Sequence, residues 1–600
     1  MTDWPLFDGP AGVARVEAQP LSRWLRGRTI PEIVRGAAEA CGDDRAYRFL
    51  EAPEAAPVDR TFGEILETTG RMAGAFATLG GRPVVASLLP GLPDTLPLIF
   101  AASWAGVILP INPFLEAAAI VDMLARTDAR VLLAEGPSGR QGTFGKLAAI
   151  RAALPDLEIV LCGEPDGPDR LEDWLDARVA PPPSLPEPAD IAACFHTGGT
   201  TGLPKIARLT HANLAFMAVL AAFGGGMRKG DVLPCGMPLF HVGGLVFGGL
   251  APVAARASVV QLGRAGFRDP AMLDAFWRIA AREGADILFA PPTVALAALD
   301  RFAPPAPSRV RHWVSSAAPL PAATQRRFTK ITGIAIKEAW GLTEATLVLT
   351  FTPPGGESRP GSVGLRLPYC ELVVRSLQDP RSAAAPGEPG VVMARSPGVF
   401  AGYLGQDGDG LTEIPGIAPG RWLDTGDVGY LDADGYLVLT GRAKDMILRG
   451  GHNIDPAVIE EAFGALDEVA AVAAVGLPDA RVGELPVVFV TLTPGAGATP
   501  ATLMARATEA IAERAAHPKA VTIVEAMPLT AVGKIDKVAL RQRAALSALR
   551  ALYPDHVDIA VRAGAGGRTL VTLTPCPKGA AENLSALGLE LERPLEEGSA

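Results

Sequence analysis

A chain of 600 residues is too long for one ordinary domain, and three or four core-forming units are expected. Its 48% hydrophobic and 20% charged residues exclude a disordered chain, and a net charge of -10 argues against a nucleic-acid surface, which would need a basic face. Anionic ligands stay open, because local groups hold those.

The first residues carry Asp3 and Asp8 and no long apolar core, so they do not read as a secretory signal. Helical periodicity is expected at Ile30–Cys41 and Thr61–Leu79. Short buried strands at Arg82–Leu89, Ala129–Leu133 and Asp156–Cys162 alternate with helical segments, which predicts α/β layers with mostly parallel strands. Residues 179–190 are proline-rich without periodicity and read as a linker or surface crossing. The apolar Ile191–Phe195 leads into a glycine-rich loop, and a helix follows from Thr210. Ala212–Met227 and Val242–Ala255 are apolar but glycine-interrupted and shorter than a membrane span of about 20 residues. Both read as buried core, and no transmembrane segment is expected.

From Arg359 to Thr440, glycines and prolines recur between short strands such as Glu371–Arg375 and Tyr436–Thr440, which predicts a small β-rich unit. Beyond Gly441 a helix is expected at Glu460–Leu466, strands at Val469–Val475 and Val487–Leu492, and a helix over Pro500–Ala516. Val557–Arg562 and Arg568–Leu573 read as a hairpin. The expected organisation is a large α/β domain over 1–440, with its β-rich part at about 359–440, a separate α+β domain over 441–546, and an extension over 547–600 without an assigned role. Six scattered cysteines and seven scattered histidines give neither a C-x-x-C pair nor metal-ligand spacing. A reduced, cytoplasmic setting is the expectation.

Between Thr197 and Lys205 the chain reads Thr-Gly-Gly-Thr-Thr-Gly-Leu-Pro-Lys. Backbone N–H groups, hydroxyls and one cation together suit a polyphosphate. The common P-loop is excluded, because Lys205 follows Pro204 instead of glycine and precedes Ile206 instead of Ser or Thr. Four more segments follow at intervals: Glu-Ala-Trp-Gly-Leu-Thr-Glu at 338–344, Leu-Asp-Thr-Gly-Asp-Val-Gly-Tyr at 423–430, Gly-Arg-Ala-Lys-Asp at 441–445 continuing to Gly-Gly-His at 450–452, and Val-Gly-Lys-Ile at 532–535. Each has a physical reading. Trp340 offers a flat face on which a purine can stack, worth about 1–3 kcal/mol for base–aromatic contacts; the alternative is a core tryptophan. Thr343 can donate to a phosphate, and Glu344 can hold a magnesium ion, which prefers carboxylate and phosphate oxygens. Asp427 can accept from two ribose hydroxyls, or serve a local Asx turn.

In this order the five segments resemble the adenylate-forming superfamily of acyl-CoA synthetases, peptide-synthetase adenylation domains and beetle luciferases, over roughly residues 30–545. The resemblance implies a catalytic Lys534 that reaches the substrate carboxylate and the α-phosphate, where added charge in the transition state needs a cation. It implies that Thr197, Gly198, Gly199, Thr200, Thr201, Gly202 and Lys205 cradle the β/γ-phosphates, and that Ser316, Ala317, Ala318 and Pro319 flank the adenine. Arg442 then reaches ribose or phosphate, and Lys444 is the hinge about which the C-terminal domain turns between half-reactions. Gly450 and Gly451 line the pantetheine path, a role compatible with a plain turn between two strands. His241, in Pro-Leu-Phe-His at 238–241, stands beside the acyl site as a gate or, less in keeping with its setting, a proton shuttle. No aspartate replaces it to pair with a substrate ammonium, which argues against an amino acid. Gly341 stands where acetate-specific members have tryptophan, which implies room for a larger acid. Three departures stand out: Gly198 where serine is usual, Trp340 where tyrosine is usual, and Ser315–Pro319 where a glycine-rich turn is usual.

The implied activity is an ATP-, Mg2+- and coenzyme A-dependent acid–thiol ligase. It would act on a small-molecule carboxylic acid, with medium-chain fatty, aromatic and alicyclic acids all open. The alternatives are an adenylation protein that loads a separate carrier-protein thiol and a non-catalytic nucleotide-binding homologue. Oligomeric state stays open, a homodimer included.

Overall fold

The computed structural model describes residues 5–139, 142–163, 169–197, 204–318, 320–405, 411–413, 420–442, 445–450, 452–493, 495–530, 534–553, 557–563 and 569–592. The architecture is mixed α/β, with two large sheets in the first two-thirds of the chain. One contains six strands among the described residues: Glu158–Cys162, Ala129–Glu135, Val84–Ser87, Val107–Pro110, Ile191–Thr197 and Lys205–Thr210, in that spatial order. All pairs are parallel except the last, where Ile191–Thr197 and Lys205–Thr210 run antiparallel, with Thr197 opposite Lys205. The other sheet contains nine strands among the described residues, with Val232–Cys235, Ser258–Leu262, Ile287–Phe289, His312–Ser315 and Ile336–Trp340 as its parallel centre.

Two helices lie between these sheets. Every residue of Thr95–Ala105 is buried, and so is nearly all of His211–Gly224. A helix apolar on all sides has no solvent face, which fits a position sandwiched between layers. One continuous core joins these helices to Val85 and Ile108 of one sheet and to Leu233, Val259 and Val314 of the other. The outer faces carry separate cores, built on Leu132 and Met123 on one side and on Trp313 and Phe328 on the other. Helix starts are set locally. Thr29/Glu32, Thr61/Glu64 and Thr210/Asn213 form reciprocal capping boxes that satisfy otherwise orphaned N–H groups.

The proline-rich crossing at 179–190 has no regular element, yet it is pinned down. Trp104 Nε1 donates to the Pro183 carbonyl at 3.1 Å, and a Cβ on Gly74 would stand 2.0 Å from the Ala180 oxygen. The segment Val242–Ala255 forms a wide helical turn over Gly243–Leu250 followed by the α-helix Ala251–Ala255.

An antiparallel sheet follows, with Glu371–Ser376, Gly390–Arg395, Leu411–Glu413, Arg421–Leu431 and Leu437–Arg442. The last strand runs two residues past Thr440, so Arg442 pairs with Asp427 across the ladder. Beyond it, Val469–Asp479 and Gly483–Leu492 form a long antiparallel pair, extended by Ile447–Arg449, His452–Ile454 and Ala520–Ile523. The helix expected over Pro500–Ala516 ends at Glu509. A second, short turn over Arg514–Ala516 brings Ala516 back into the core that Ile511 already enters, and the His517 ring lies 2.9 Å from the Ile511 carbonyl to close the bend.

The helix Lys537–Leu552 spans two cores: Leu540 and Ala544 pack on the strand pair, while Ala545 and Leu549 pack on the extension. That extension has the expected hairpin, as Asp558–Ala563 and Thr569–Thr574, together with a helix Ala580–Ala586 and a third strand Glu590–Leu591 that sequence reading did not foresee. No helix among the described residues is long and apolar enough to cross a membrane.

Candidate active site

The site forms where the C-terminal ends of the central parallel strands meet the antiparallel sheet, the usual place for ligands in open α/β sheets. Strand Ile336–Trp340 delivers Trp340 as its last residue, and strand Arg421–Leu431 delivers Asp427. Trp340 Nε1 donates to Asp427 Oδ2 at 2.7 Å, and Arg442 Nε lies 3.0 Å from Asp427 Oδ1. The turn beside Asp427 is held by other groups. Asp424 Oδ1 accepts the Gly426 N–H at 2.9 Å, with Gly426 at φ 68°, and Thr425 Oγ1 accepts the Asp427 N–H at 3.2 Å. The Asx turn therefore belongs to Asp424, which also pairs with Arg375 at 2.8 Å. Asp427 keeps its carboxylate for the site.

Gly341 does not open a pocket. A Cβ there would stand 1.9 Å from the Leu347 carbonyl oxygen, far inside van der Waals contact. The glycine is required by close backbone approach, not by the size of an acid. The same holds for Gly244, whose Cβ would stand 2.1 Å from the Pro238 oxygen. The expectation of a larger acid drawn from Gly341 loses its structural basis.

Thr343 and Glu344 begin a single short turn. Glu344 Oε1 accepts from the Tyr403 hydroxyl at 2.5 Å, and the Glu344 carbonyl accepts the Phe400 N–H at 2.9 Å. Tyr403 reaches this place because residues 401–404 run alongside Lys205–Thr210, with Ala207 opposite Tyr403. The Lys205 ammonium lies 4.8 Å from the Tyr403 ring centroid. Tyr403 thus joins the lysine of the glycine loop to the carboxylate of the 338–344 segment. Sequence reading passed it over, since a lone Gly-Tyr in a loop carries no sign of a partner 59 positions away. Burial and the Glu344 carboxylate raise the Tyr403 pKa, which keeps the hydroxyl a donor.

Lys534 enters from the C-terminal region. Its N–H donates to Thr530 Oγ1 at 3.1 Å, and its carbonyl accepts the Thr530 N–H at 2.7 Å, so residues 530 and 534 are doubly hydrogen-bonded to each other. Burial, reinforced by Arg442 and opposed by Asp427, pushes the Lys534 ammonium down to about 8. His241 is pushed down to about 3 by burial, then by Lys534 and His196. Its Nδ1 accepts the Gly243 N–H at 3.1 Å, so the neutral ring carries its proton on Nε2. His196, also missed, is pushed down to about 4 by burial, and its Nε2 accepts the Asn112 N–H at 3.0 Å.

Thr197 ends its strand opposite Lys205. Ser316, Ala317 and Ala318 follow strand His312–Ser315, with Ala317 in the left-handed region at φ 78°. Below them Ser315 Oγ and Glu338 Oε1 are buried without a hydrogen-bond partner among the described residues, on adjacent strands in register. Burial pushes the Glu338 carboxyl up to about 8. Gly450 sits at a hairpin tip between Ile447–Arg449 and His452–Ile454, with φ 58°. Gly198, Gly199, Thr200, Thr201, Gly202, Pro319, Lys444 and Gly451 lie outside the described residues.

A cavity of about 400 Å3 opens beside Phe240. Its walls include Met237, Phe267, Arg268 and Val294, and also Leu529 and Thr530 from the loop that carries Lys534. The Arg268 guanidinium covers the Phe114 ring at 3.9 Å. Gly450 is not among its walls.

Comparison with known proteins identifies the family. Residues 34–404 match the family model of the AMP-binding enzyme, and residues 458–534 that of the AMP-binding enzyme C-terminal domain. A marinolic acid–CoA ligase of Pseudoalteromonas sp. (strain SANK 73390) is 33% identical over 584 residues, covering 92% of this chain and 86% of that protein. A feruloyl-CoA synthase of Amycolatopsis sp is 32% identical over 490 residues, covering 80% and 94%. The crystal structure of an anthranilate CoA ligase in complex with anthranoyl-AMP superposes with a TM-score of 0.77 at 25% identity, covering 88% of this chain and 100% of that one. The chain belongs to the AMP-binding enzyme family, as an AMP-forming acid–thiol ligase.

Proposed function

We propose that the chain activates a carboxylic acid with ATP at the Trp340–Asp427–Lys534 site and passes the acyl group to coenzyme A. The observation that carries this reading is that Lys534, far along the chain from both, is buried within electrostatic reach of the Asp427–Arg442 pair. In the first step a carboxylate oxygen of the acid attacks the α-phosphorus, the bond to the β-phosphate bridge breaks, and pyrophosphate leaves. Both reactants are anionic, so the Lys534 ammonium lowers the barrier by stabilising charge that gathers in the transition state. Trp340 gives the adenine a face, Asp427 accepts from the ribose, and Lys205 and Thr343 meet phosphate oxygens.

In the second step the coenzyme A thiol gives its proton to solvent, the resulting thiolate attacks the acyl carbon, and the bond to AMP breaks. The cavity beside Phe240, walled by the 238–240 segment, suits the acyl group of the acid. Leu529 and Thr530 form part of its wall, in the same loop as Lys534. Withdrawing that loop would remove Lys534 from the first step and clear an approach for the thiol in the second, which ties the two half-reactions to one domain movement about Lys444. Neutral His241, with its proton on Nε2, acts as a hydrogen-bond donor rather than an acid.

Glu344 fits a magnesium ion in its donor chemistry. One carboxylate oxygen is fixed by Tyr403 and the other remains to ligate. No group of three or more His, Cys, Asp or Glu able to hold a metal stands among the described residues, so substrate phosphates would complete the shell. Bound there, the ion supplies charge neutralisation on the phosphates.

The relatives named for marinolic acid and ferulate favour an acid larger than acetate. Acid-dependent pyrophosphate exchange, followed by AMP release on adding coenzyme A, tests the reading across fatty, aromatic and alicyclic acids. Release of AMP only with a phosphopantetheinyl carrier protein would reassign the acceptor. Absence of exchange with every acid would remove the reading.

A further inference from the structure

The Trp340 indole does more than offer a ring face. Its N–H is committed to Asp427 Oδ2 at 2.7 Å, while Arg442 Nε sits 3.0 Å from Oδ1. Trp340 is 7% exposed and Asp427 5%, so the contact is shielded from water. A carboxylate offers about four lone-pair sites, two on each oxygen. One protein donor on each oxygen leaves one site on each oxygen for a ligand.

We propose that Trp340 is the positioning residue that sets the rotation of the Asp427 carboxylate, so that its two oxygens meet the two ribose hydroxyls one to one. The proposal rests on the reading of Asp427 as the ribose acceptor. Both partners are held from behind. The Trp340 carbonyl accepts the Leu349 N–H at 2.8 Å, and the residue after it, Gly341, packs so closely on Leu347 that the backbone has no space to move towards it. Asp427 is fixed by Thr425, whose hydroxyl accepts its N–H and donates to the Val392 carbonyl at 2.7 Å. Arg442, by contrast, has a half-exposed side chain and holds its oxygen loosely. The indole is the rigid donor of the two. Phenylalanine at this position keeps a stacking face and loses the donor. Tyrosine keeps a face but moves the donor to the far end of the ring.

The test measures pyrophosphate exchange with ATP, 2′-deoxyATP and 3′-deoxyATP in wild type, Trp340→Phe, Trp340→Tyr, Asp427→Asn and the Trp340→Phe/Asp427→Asn double variant. A hydrogen bond to a charged group corresponds to a change on the order of tenfold or more. Wild type is expected to prefer ATP over each analogue by at least that factor. In Trp340→Phe, ATP loses about tenfold in kcat/KM, mostly through KM, while the analogue lacking the affected hydroxyl loses little, so one of the two preferences collapses. The double variant should then match Asp427→Asn.

A loss of equal size on all three nucleotides, in whichever Trp340 variant remains folded by thermal melting, would overturn the proposal and leave stacking alone. If neither variant folds, the same question is put to wild type and Asp427→Asn by the indole N–H resonances. One of these must shift upfield in Asp427→Asn, and unchanged indole resonances would likewise overturn the proposal. Undiminished preference for ATP over both analogues in Asp427→Asn is a different result, and it would remove the ribose reading itself.

Discussion

The charge on Lys534 should give adenylation an alkaline limb. In the free enzyme burial and Arg442 push this ammonium down to about 8. At pH 7 about nine-tenths of the molecules carry the charge, and at pH 9 about one-tenth, so kcat/KM for ATP should fall about tenfold between these values. The sign is fixed: a cation is lost as pH rises, and the step that needs it slows. The second half-reaction runs the other way, because a thiol ionises more as pH rises, so the full assay would mask the effect. Pyrophosphate exchange isolates the first step. Lys534→Arg keeps its charge over the whole range and should lose the limb even if its rate is lower. The Glu338 carboxyl is pushed up to about 8 by burial and titrates in the same window. Glu338→Gln should therefore retain the limb. A wild-type profile flat to pH 9.5, or a limb that survives in Lys534→Arg, would refute the reasoning.

Tyr403→Phe keeps the ring under Lys205 and removes the donor to Glu344; at limiting Mg2+ its adenylation rate should fall on the order of tenfold, while thioester formation from supplied acyl-adenylate stays unchanged. Both rates falling together would show a structural defect instead. Gly341→Ala must push back the Leu347–Val348 backbone, at a cost of about 1–3 kcal/mol; thermal melting and KM for ATP should both worsen, whereas a stable variant that merely prefers shorter acids would restore the pocket-size reading. Glu338→Gln should melt higher than wild type at pH 8 and by less at pH 5. The Glu338 carboxyl has a raised folded-state pKa, so the stability it contributes is greatest below its unfolded pKa and is lost as pH rises towards about 8. An unchanged difference across that range would mean that Glu338 is not buried neutral.

The fold was largely readable because its signals are local. Ile30–Cys41 is helical over the expected residues, with Thr29 and Glu32 as its cap, and the alternating strands around Ala129–Glu135 form the expected parallel sheet. The helix over Pro500–Ala516 was drawn too long because tertiary burial of Ala516, not propensity, bends the chain after Glu509. The candidate site was drawn from five segments whose residues, such as Asp427, Glu344 and Lys534, carry chemistry suited to nucleotide and phosphate, and the structure joins Trp340, Asp427 and Arg442 from three of them. Two things were not. A glycine in a sequence shows that a side chain is missing, not what fills the space, so Gly341 suggested room where the Leu347 carbonyl stands. Nor does sequence show which side chains meet: Tyr403 with Glu344, the Trp340 indole with Asp427, and the exchange of the Asx role from Asp427 to Asp424 appear only in three dimensions.

In this mechanism Lys534 serves the first half-reaction and not the second. Lys534→Ala, assayed in one preparation for acid-dependent pyrophosphate exchange and for thioester formation from supplied acyl-adenylate and coenzyme A, tests it directly. Exchange should be abolished while thioester formation proceeds near the wild-type rate. Normal exchange in Lys534→Ala, or equal loss of both activities in a folded protein, would contradict it.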